Sequence, residues 1–325
     1  MYHILHQMID SVEIAGFLKN IAVQSGAVAM GFSKAGTVDE SEWQLFCNWL
    51  VEKKNAGMAY MNNYPEIRYD PRLLLPEAKT IVSLAYNFNL PQDSNKLNGI
   101  ASYALFEDYH KSIRKTLSPL LKKYFPKGGE INWRICIDSA PILERFWAKK
   151  SGIGFQSDNG MITIPGIGSR VFLAEIILNV EISEEFRNPW FSIDTNHFPD
   201  NCGHCGKCAQ ECPGKALNKS VDCNRCISYL TIEHHDEWEE TGRRVMNTPI
   251  GKSSIFGCDK CLSVCPWNKI ESQPSSALIL DKNINNLSEE ELSSLSQTEF
   301  ITKFAKSPIS RTGWEGWRRN LDNRK

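Results

Sequence analysis

The run Cys202-Gly-His-Cys205-Gly-Lys-Cys208-Ala-Gln-Glu-Cys212-Pro213 constrains this chain more than any other stretch. Its C-x2-C-x2-C-x3-C-P rhythm is the spacing with which bacterial ferredoxins hold iron-sulfur clusters. Three thiolates wrap one face of a [4Fe-4S] cube, and the fourth cysteine, before the proline, ligates a second cluster. One such run therefore predicts another. Its partner is Cys258-Asp-Lys-Cys261-Leu-Ser-Val-Cys265-Pro266, which keeps the later spacings but carries Ile255 where the first cysteine belongs. Crossing the runs gives Cys202, Cys205, Cys208 and Cys265 to one cluster. Cys212, Cys258 and Cys261 go to the other, one thiolate short. Cys223 and Cys226 lie between the runs, and spacing does not choose between them.

Structural zinc and disulfides are the competing uses of paired cysteines. Tetrahedral zinc does not require the x2, x2, x3-Pro rhythm, which favours clusters. Cys47 and Cys136 stand apart in helical and apolar patterns and read as core residues. His204, His234 and His235 read as surface or structural groups rather than ligands. A net charge of -1 excludes a generally basic nucleic-acid binder, so any RNA contact needs a local patch. The N-terminus has no basic-then-apolar leader, and no run of about 18 apolar residues occurs. The expectation is a soluble, cytoplasmic, monomeric protein with no membrane association, where reducing conditions keep the eleven cysteines as thiolates.

Asp10 and Ser11 are placed to cap a helix bearing Ile14, Phe17, Leu18, Ile21 and Ala22, and residues 27–32 then read as a strand. Trp43, Phe46, Cys47 and Leu50 mark a second amphipathic helix, stopped by Gly57. Residues 58–76 read as irregular with short helices. Strand patterns recur at 80–88, 131–138 and 171–180, and helical ones at 109–125 and 141–151, with Pro119 expected to kink or interrupt the former. This alternation argues for an α/β or α+β sandwich over residues 1–187. A cysteine-rich module over 188–268 follows, with short helices around each cluster, and then a polar, helical extension over 269–325. The tract Arg311, Trp314, Trp317, Arg318 and Arg319 is suited to stacking on RNA bases and meeting phosphates, or equally to an ordinary helix packing its tryptophans. Lys111, Arg114, Lys115, Lys122 and Lys123 form a second basic group.

A two-cluster ferredoxin needs only about 60 to 80 residues, so the upstream domain must hold something the electrons reach, and that argues for an enzyme. The densest candidate is Ile137-Asp138-Ser139-Ala140-Pro141-Ile-Leu-Glu144-Arg145, where an acidic residue ends a strand ahead of a helix. Helix capping is the ordinary use of such an aspartate. Glu144 and Arg145 read as a solvated or paired helix face. The Gly-rich segment 165–169 reads as a tight β connection, since it does not keep the G-x-G-x-x-G spacing.

Several segments together resemble epoxyqueuosine reductase. They are Asp138-Ser-Ala-Pro-Ile-Leu-Glu-Arg, Asp108-Tyr-His110, Asp70-Pro-Arg-Leu-Leu-Leu-Pro76, Cys226-Ile-Ser-Tyr-Leu-Thr-Ile-Glu233 and Cys265-Pro-Trp-Asn268. The resemblance implies an α+β fold, with a nitroreductase-like α/β sandwich cofactor domain fused to a ferredoxin-like module carrying two [4Fe-4S] clusters. It implies a cobalamin-dependent enzyme that reduces epoxyqueuosine in tRNA to queuosine, fed by a low-potential electron donor. It places Cys226 as the missing ligand beside Cys212, Cys258 and Cys261, leaves Cys223 a bystander, and makes Asp138 the proton donor. Met61, Tyr103, Asp138, Ser169 and Ser228 would line cobalamin, while His110 would be structural or pocket-lining.

The chemistry suits a neutral carboxylic acid, so burial is expected to raise the Asp138 pKa. The chain departs from the family at residues 156–160, where Gly-Lys-Asn-Thr is usual, and at Phe106, where glycine is usual; both changes are expected to touch the pocket. It also ends before the helical-repeat region that assists tRNA binding in some members. The alternatives are a reductive dehalogenase-like reductase, disfavoured by the missing twin-arginine signal, and a non-catalytic ferredoxin-type electron carrier.

Overall fold

The computed structural model describes residues 2–91, 99–269 and 273–324, with side chains from residue 11 onward. Its centre is a five-stranded sheet. In chain order the elements around it are α1 (Tyr2–Gln24), β1 (Ala29–Lys34), α2 (Glu40–Val51), α3 (Pro65–Tyr69), β2 (Thr80–Asn87), α4 (Tyr109–Tyr124), β3 (Trp133–Cys136), α5 (Glu144–Lys150), the short β4 (Phe155–Gln156) and β5 (Ile162–Thr163), then β6 (Val171–Leu178) and β7 (Trp190–Phe191). The order in the sheet is β3-β6-β2-β1-β7, with every neighbouring pair antiparallel.

Alternation along β2 explains the layers, because successive side chains point to opposite faces. Val82, Leu84 and Tyr86 join Ile14, Leu18 and Ile21 of α1 and Ile113, Leu117 and Leu121 of α4 in the main core. Ile81 faces the other way, to Trp147 and Phe146 of α5. Gly31 of β1 permits that second layer to approach, since a Cβ there would lie 2.2 Å from the Ser151 carbonyl that ends α5.

The expected strands and helices lie where the sequence placed them, with shifted ends. α1 begins well before Asp10, whose side chain lies outside the described residues, and Ser11 is buried inside the helix with Oγ on the Glu181 carbonyl at 3.4 Å. α4 runs through Pro119 without interruption. Pro119 sits on the exposed side, where water can satisfy the carbonyl that loses its helical donor. α5 starts at Glu144 rather than Pro141 because the Ile142 N–H is spent on Ala140 O at 2.8 Å, in a tight turn ahead of the helix.

The cysteine-rich segment carries five short helices, α6 (Lys207–Glu211), α7 (Ile227–Ile232), α8 (Glu240–Met246), α9 (Pro249–Ser253) and α10 (Lys260–Ser263). Four more follow, α11 (Lys282–Asn285), α12 (Glu289–Ser294), α13 (Gln297–Lys303) and α14 (Gly313–Asp322). Ile255, the residue in the place of the missing cysteine, is fully buried with Phe256, Phe300, Phe304 and Trp317. Buried Asn320 of α14 donates to the Thr231 and Ile255 carbonyls, both at 2.8 Å, tying the C-terminal helix to α7. No helix among the described residues is long and apolar enough to cross a membrane.

The Arg311–Arg319 tract is therefore a packing helix. Trp317 is 0 % exposed, and Arg319 donates to the Leu230 carbonyl at 2.9 Å with its guanidinium 4.6 Å from the Trp238 ring centroid. Arg311 makes paired bonds to Glu233 at 2.8 and 2.9 Å. Trp317→Ala should cost about 3–5 kcal/mol of unfolding free energy, because it opens a cavity in this core. Arg318→Ala, removing a 3.6 Å surface pair with Asp322, should stay within about 0.5 kcal/mol. Chemical denaturation of both variants measures the contrast.

Candidate active site and cluster-binding cysteines

Cys202, Cys205, Cys208 and Cys265 line one cavity, together with Gly206, Pro266 and Trp267. The spacing achieves this because the first three cysteines lie on the loop leading into and through α6 while Cys265 follows α10, and α6 packs on α10. Cys212, Cys226, Cys258 and Cys261 gather separately. Burial pushes the Cys261 thiol up, and Cys226, Cys258 and Cys212 press it in the same direction. Two four-thiol groups, each from separated segments, fit two cubic clusters that need four thiolates apiece. Cys223 is buried in an apolar cluster with Ile227, Leu230 and Met246, next to Cys226. Cys136 is fully buried and Cys47 half-buried.

The altered segment 156–160 borders the first thiol group. Ser157, Asp158 and Asn159 line its cavity, and Asp158 Oδ1 is 2.8 Å from Nδ1 of exposed His204. Phe106 is fully buried in the main core. The first departure thus lies against a cofactor cavity, and neither makes a hydrogen bond to Asp138. The glycine-rich connection behaves as a tight turn, closed by a bridge between Ile164 and Gly168.

Asp138 sits just beyond β3 in the left-handed region, with φ +49. The Ser139 N–H donates to Ile137 O at 2.5 Å across it, closing a three-residue turn. Such a conformation costs roughly 1–3 kcal/mol and persists only where its surroundings impose it. Three groups do so. The Asp138 N–H donates to Glu144 Oε1 at the start of α5. Oδ2 lies 3.0 Å from His110 Nε2, and Tyr109 lies close enough to act on the carboxylate. Tyr109 stacks on the His110 ring at 4.0 Å and on Phe172 at 3.9 Å, which fixes the first turn of α4 against the sheet. Glu144 thus holds Asp138, rather than forming part of a solvated face.

The electrostatics run against the expectation of a neutral Asp138. Burial pushes its pKa up, but the hydrogen bond and charge of His110, then Tyr109, then the charge of Arg145, outweigh this and hold it below the ordinary carboxylate value. The side chain keeps 60 % of its surface, which limits the burial penalty. Burial pulls His110 down, but its bonds and charges from Asp138 and Asp108 win and raise it. Glu144 is pushed up to about 8, by burial and then by the Asp138 charge. Behind it, Glu175 of β6 is fully buried with both carboxylate oxygens unpartnered, and burial pushes it well above the ordinary range.

The other expected pocket residues divide. Tyr103 lies close enough for the Asp138 charge to act on it. Met61 is half-buried in the helical turn of Ala59–Asn62, beside Tyr60, over which Arg311 lies at 5.6 Å. The Asp138 charge reaches both Tyr60 and Arg311. Ser228, in α7, is half-buried two residues after Cys226 and helps to lower its thiol pKa against the larger effect of burial. Ser169 is buried and paired with Asn268, whose Nδ2 donates to Ser169 Oγ at 2.9 Å, on the side of the first thiol group. Sequence reasoning passed over Tyr60, Glu144, Glu233 and Tyr109, and gave His110 too small a part. The signal available for His110 was its place two residues after the α4 cap, Asp108.

Comparison with known proteins agrees with this arrangement. Residues 201–268 match the family described as "4Fe-4S double cluster binding domain", and residues 68–139 match "Epoxyqueuosine reductase QueG, DUF1730". The epoxyqueuosine reductase of Cyclobacterium marinum is 35% identical over 311 residues, covering 92% of this chain and 94% of its own. That of Cellulophaga algicola is 32% identical, covering 94% and 96%. An epoxyqueuosine reductase solved with an epoxyqueuosine-modified tRNA-Tyr stem loop superposes with a TM-score of 0.79 at 27% identity, covering 97% of this chain and 81% of that one. A Bacillus subtilis epoxyqueuosine reductase, solved with its catalytic aspartate loop swung out of the active site, gives 0.72 at 29% identity, with the same coverage. With its double-cluster segment and relatives above 30% identity over nearly its full length, this chain belongs to the epoxyqueuosine reductase family of oxidoreductases.

Proposed function

We propose that this chain reduces epoxyqueuosine in tRNA to queuosine, consuming two electrons and two protons and releasing one water. One observation carries the reading: α7 joins the electron path to the proton site. Cys226 caps its start, and Glu233 at its end holds Arg311, on which the Asp138 charge acts. Electrons arriving at the second thiol group and protons held at Asp138 thus converge on one wall.

In this reading Cys202, Cys205, Cys208 and Cys265 hold one [4Fe-4S] cluster, and Cys212, Cys226, Cys258 and Cys261 the other. Met61, Tyr103, Asp138 and Ser228 would hold cobalamin on the side of the second cluster. Two features fit it there. Ser102 Oγ, next to Tyr103, is buried without a partner and suits an amide of the corrin rim. Both ring nitrogens of His110 are engaged by carboxylates, so this site offers no imidazole ligand from His110. When bound, cobalamin supplies a low-potential cobalt that passes electrons to carbon at close range, while the clusters relay them singly.

The residues of this chain supply position and protons. Asp138 faces the reacting carbon–oxygen bond as general acid, protonating the oxygen that leaves as a strongly basic group. The turn around it and the Glu144 bond fix its direction. Lys111, Arg114, Lys115, Lys122 and Lys123 are exposed on α4, the helix whose first turn carries His110, and this face follows the tRNA backbone away from the site.

Asp138→Asn should lower single-turnover reduction at least about 100-fold, with iron and corrinoid content unchanged, as read by mass analysis of epoxyqueuosine-containing tRNA; full turnover would sink the reading. For the cysteines, Cys226→Ser should drop bound iron from about eight toward about four per chain, whereas Cys223→Ser should keep about eight. Iron analysis after anaerobic reconstitution separates the two. On α4, the Lys115→Ala/Lys122→Ala double variant should weaken tRNA binding and flatten its dependence on log salt by about one for each phosphate no longer neutralised. An unchanged slope removes this face from the interface.

A further inference from the structure

We infer that Asp108, His110 and Asp138 form a proton store, in which His110 supplies, through Asp138, the proton that goes to the leaving oxygen. The inference rests on the reading of Asp138 as proton donor and resolves a difficulty in it. A general acid must hold a proton, yet the surroundings of Asp138 favour its ionised form.

The geometry fixes the proton count. His110 Nδ1 is 2.9 Å from Asp108 Oδ1, and Nε2 is 3.0 Å from Asp138 Oδ2. Ionised carboxylates only accept, and a neutral imidazole has a single N–H. Both contacts are hydrogen bonds only if the trio carries one proton beyond two carboxylates and a neutral ring. The ring is also held in place. Asp108 caps α4, accepting the His110 N–H at 3.1 Å, and Tyr109 stacks on the imidazole face. The other groups around the trio are Lys111, 3.2 Å from Asp108 Oδ2, and Tyr60, Tyr103, Tyr109, Glu144, Arg145 and Arg311 around Asp138. The raised pKa of His110 and the lowered one of Asp138 favour the ring over the carboxylate as the seat of the shared proton.

The step balances without a further reagent. As the carbon–oxygen bond breaks with the incoming electron pair, the Nε2 proton of His110 passes to Asp138 and from Asp138 to the leaving oxygen, which leaves Asp138 ionised and His110 neutral with its Nδ1–H still on Asp108. The ring is 35% exposed, so solvent reloads Nε2, and the second proton of the turnover follows the same route. His110 acts through Asp138 and is a positioning and proton-supplying residue. Its charge is present below its raised pKa and is lost as pH rises through it, so proton supply fails on the alkaline side.

The test compares His110→Gln, Asp108→Asn and Asp138→Asn in enzyme reconstituted with iron, sulfide and cobalamin. It reads both the pH profile of single-turnover reduction and the ring-nitrogen NMR shifts of the seven histidines, with His110 assigned by its loss in His110→Gln. His110 should titrate above the ordinary histidine value, and Asp108→Asn or Asp138→Asn should each lower it by about one unit or more. Asparagine keeps the α4 cap, so a merely structural role for Asp108 would leave this titration unmoved. His110→Gln should slow reduction about tenfold or more at pH 8 at unchanged KM for tRNA, and bring the alkaline fall to lower pH. A His110→Gln enzyme with the parent rate and profile, or a ring that titrates at its ordinary value regardless of Asp138, overturns the inference. If Asp138→Asn alone abolishes turnover under those outcomes, the assignment of Asp138 stands; if Asp138→Asn turns over fully, that assignment falls instead.

Discussion

The ladder between β2 and β6 sets the geometry from which everything else hangs. Eight residues pair in one register, from Thr80 opposite Leu178 to Asn87 opposite Val171. A slip of one residue would turn a strand's apolar set from one layer to the other. Val82, Leu84 and Tyr86 would then leave the α1 and α4 face, and Ser83 would enter the main core. The register also fixes β3, which pairs with the far edge of β6 through Cys136 and Glu175. Asp138 lies two residues beyond that pair, so its position is inherited from the centre of the sheet.

On this rigid base the site is assembled from three pieces that end near one another. β3 delivers Asp138, the first turn of α4 delivers Tyr109 and His110, and the first residue of α5 delivers Glu144. Each piece starts or stops at the site, so side chains reach it from helix and strand ends rather than from long free loops. The left-handed turn at Asp138 is held by contacts to separate elements.

The sequence disclosed the parts of this design that depend on spacing. The cysteine runs, crossed as ferredoxin runs cross, account for seven of the eight thiols in the two groups, the eighth, Cys226, coming only with the family resemblance, and alternation along residues 80–88 and 171–180 marks the two central strands. It disclosed less where chemistry depends on which distant residue meets which. Nothing local to Asp108-Tyr-His110 says that its imidazole reaches Asp138, 28 residues on. Pattern alone left Glu144 on a solvated or paired helix face, and could not say that its partner is the Asp138 N–H. The Arg311–Arg319 tract reads the same as an RNA-binding or a packing helix until Trp317 is seen against Phe300 and Phe304. Ile255 is the instructive middle case: its break in the motif was visible, but its reason, a buried place beside Trp317, was not.

α7 does more than its length suggests. In six residues it follows Cys226, receives the Gly57 N–H on Tyr229 Oη at 2.8 Å, offers the Thr231 carbonyl to Asn320 and Thr312, and leads into Glu233 beside Arg311. Two regions distant in the chain, at Gly57 and over residues 311–320, are therefore moored to a turn and a half of helix. Substitutions there are pleiotropic by construction, since no position in it can be altered for one duty alone. Diminished iron, a loosened C-terminal helix and a disturbed proton site would then be three symptoms of one injury: this helix is the keystone at which separate functions share a single mechanical fate.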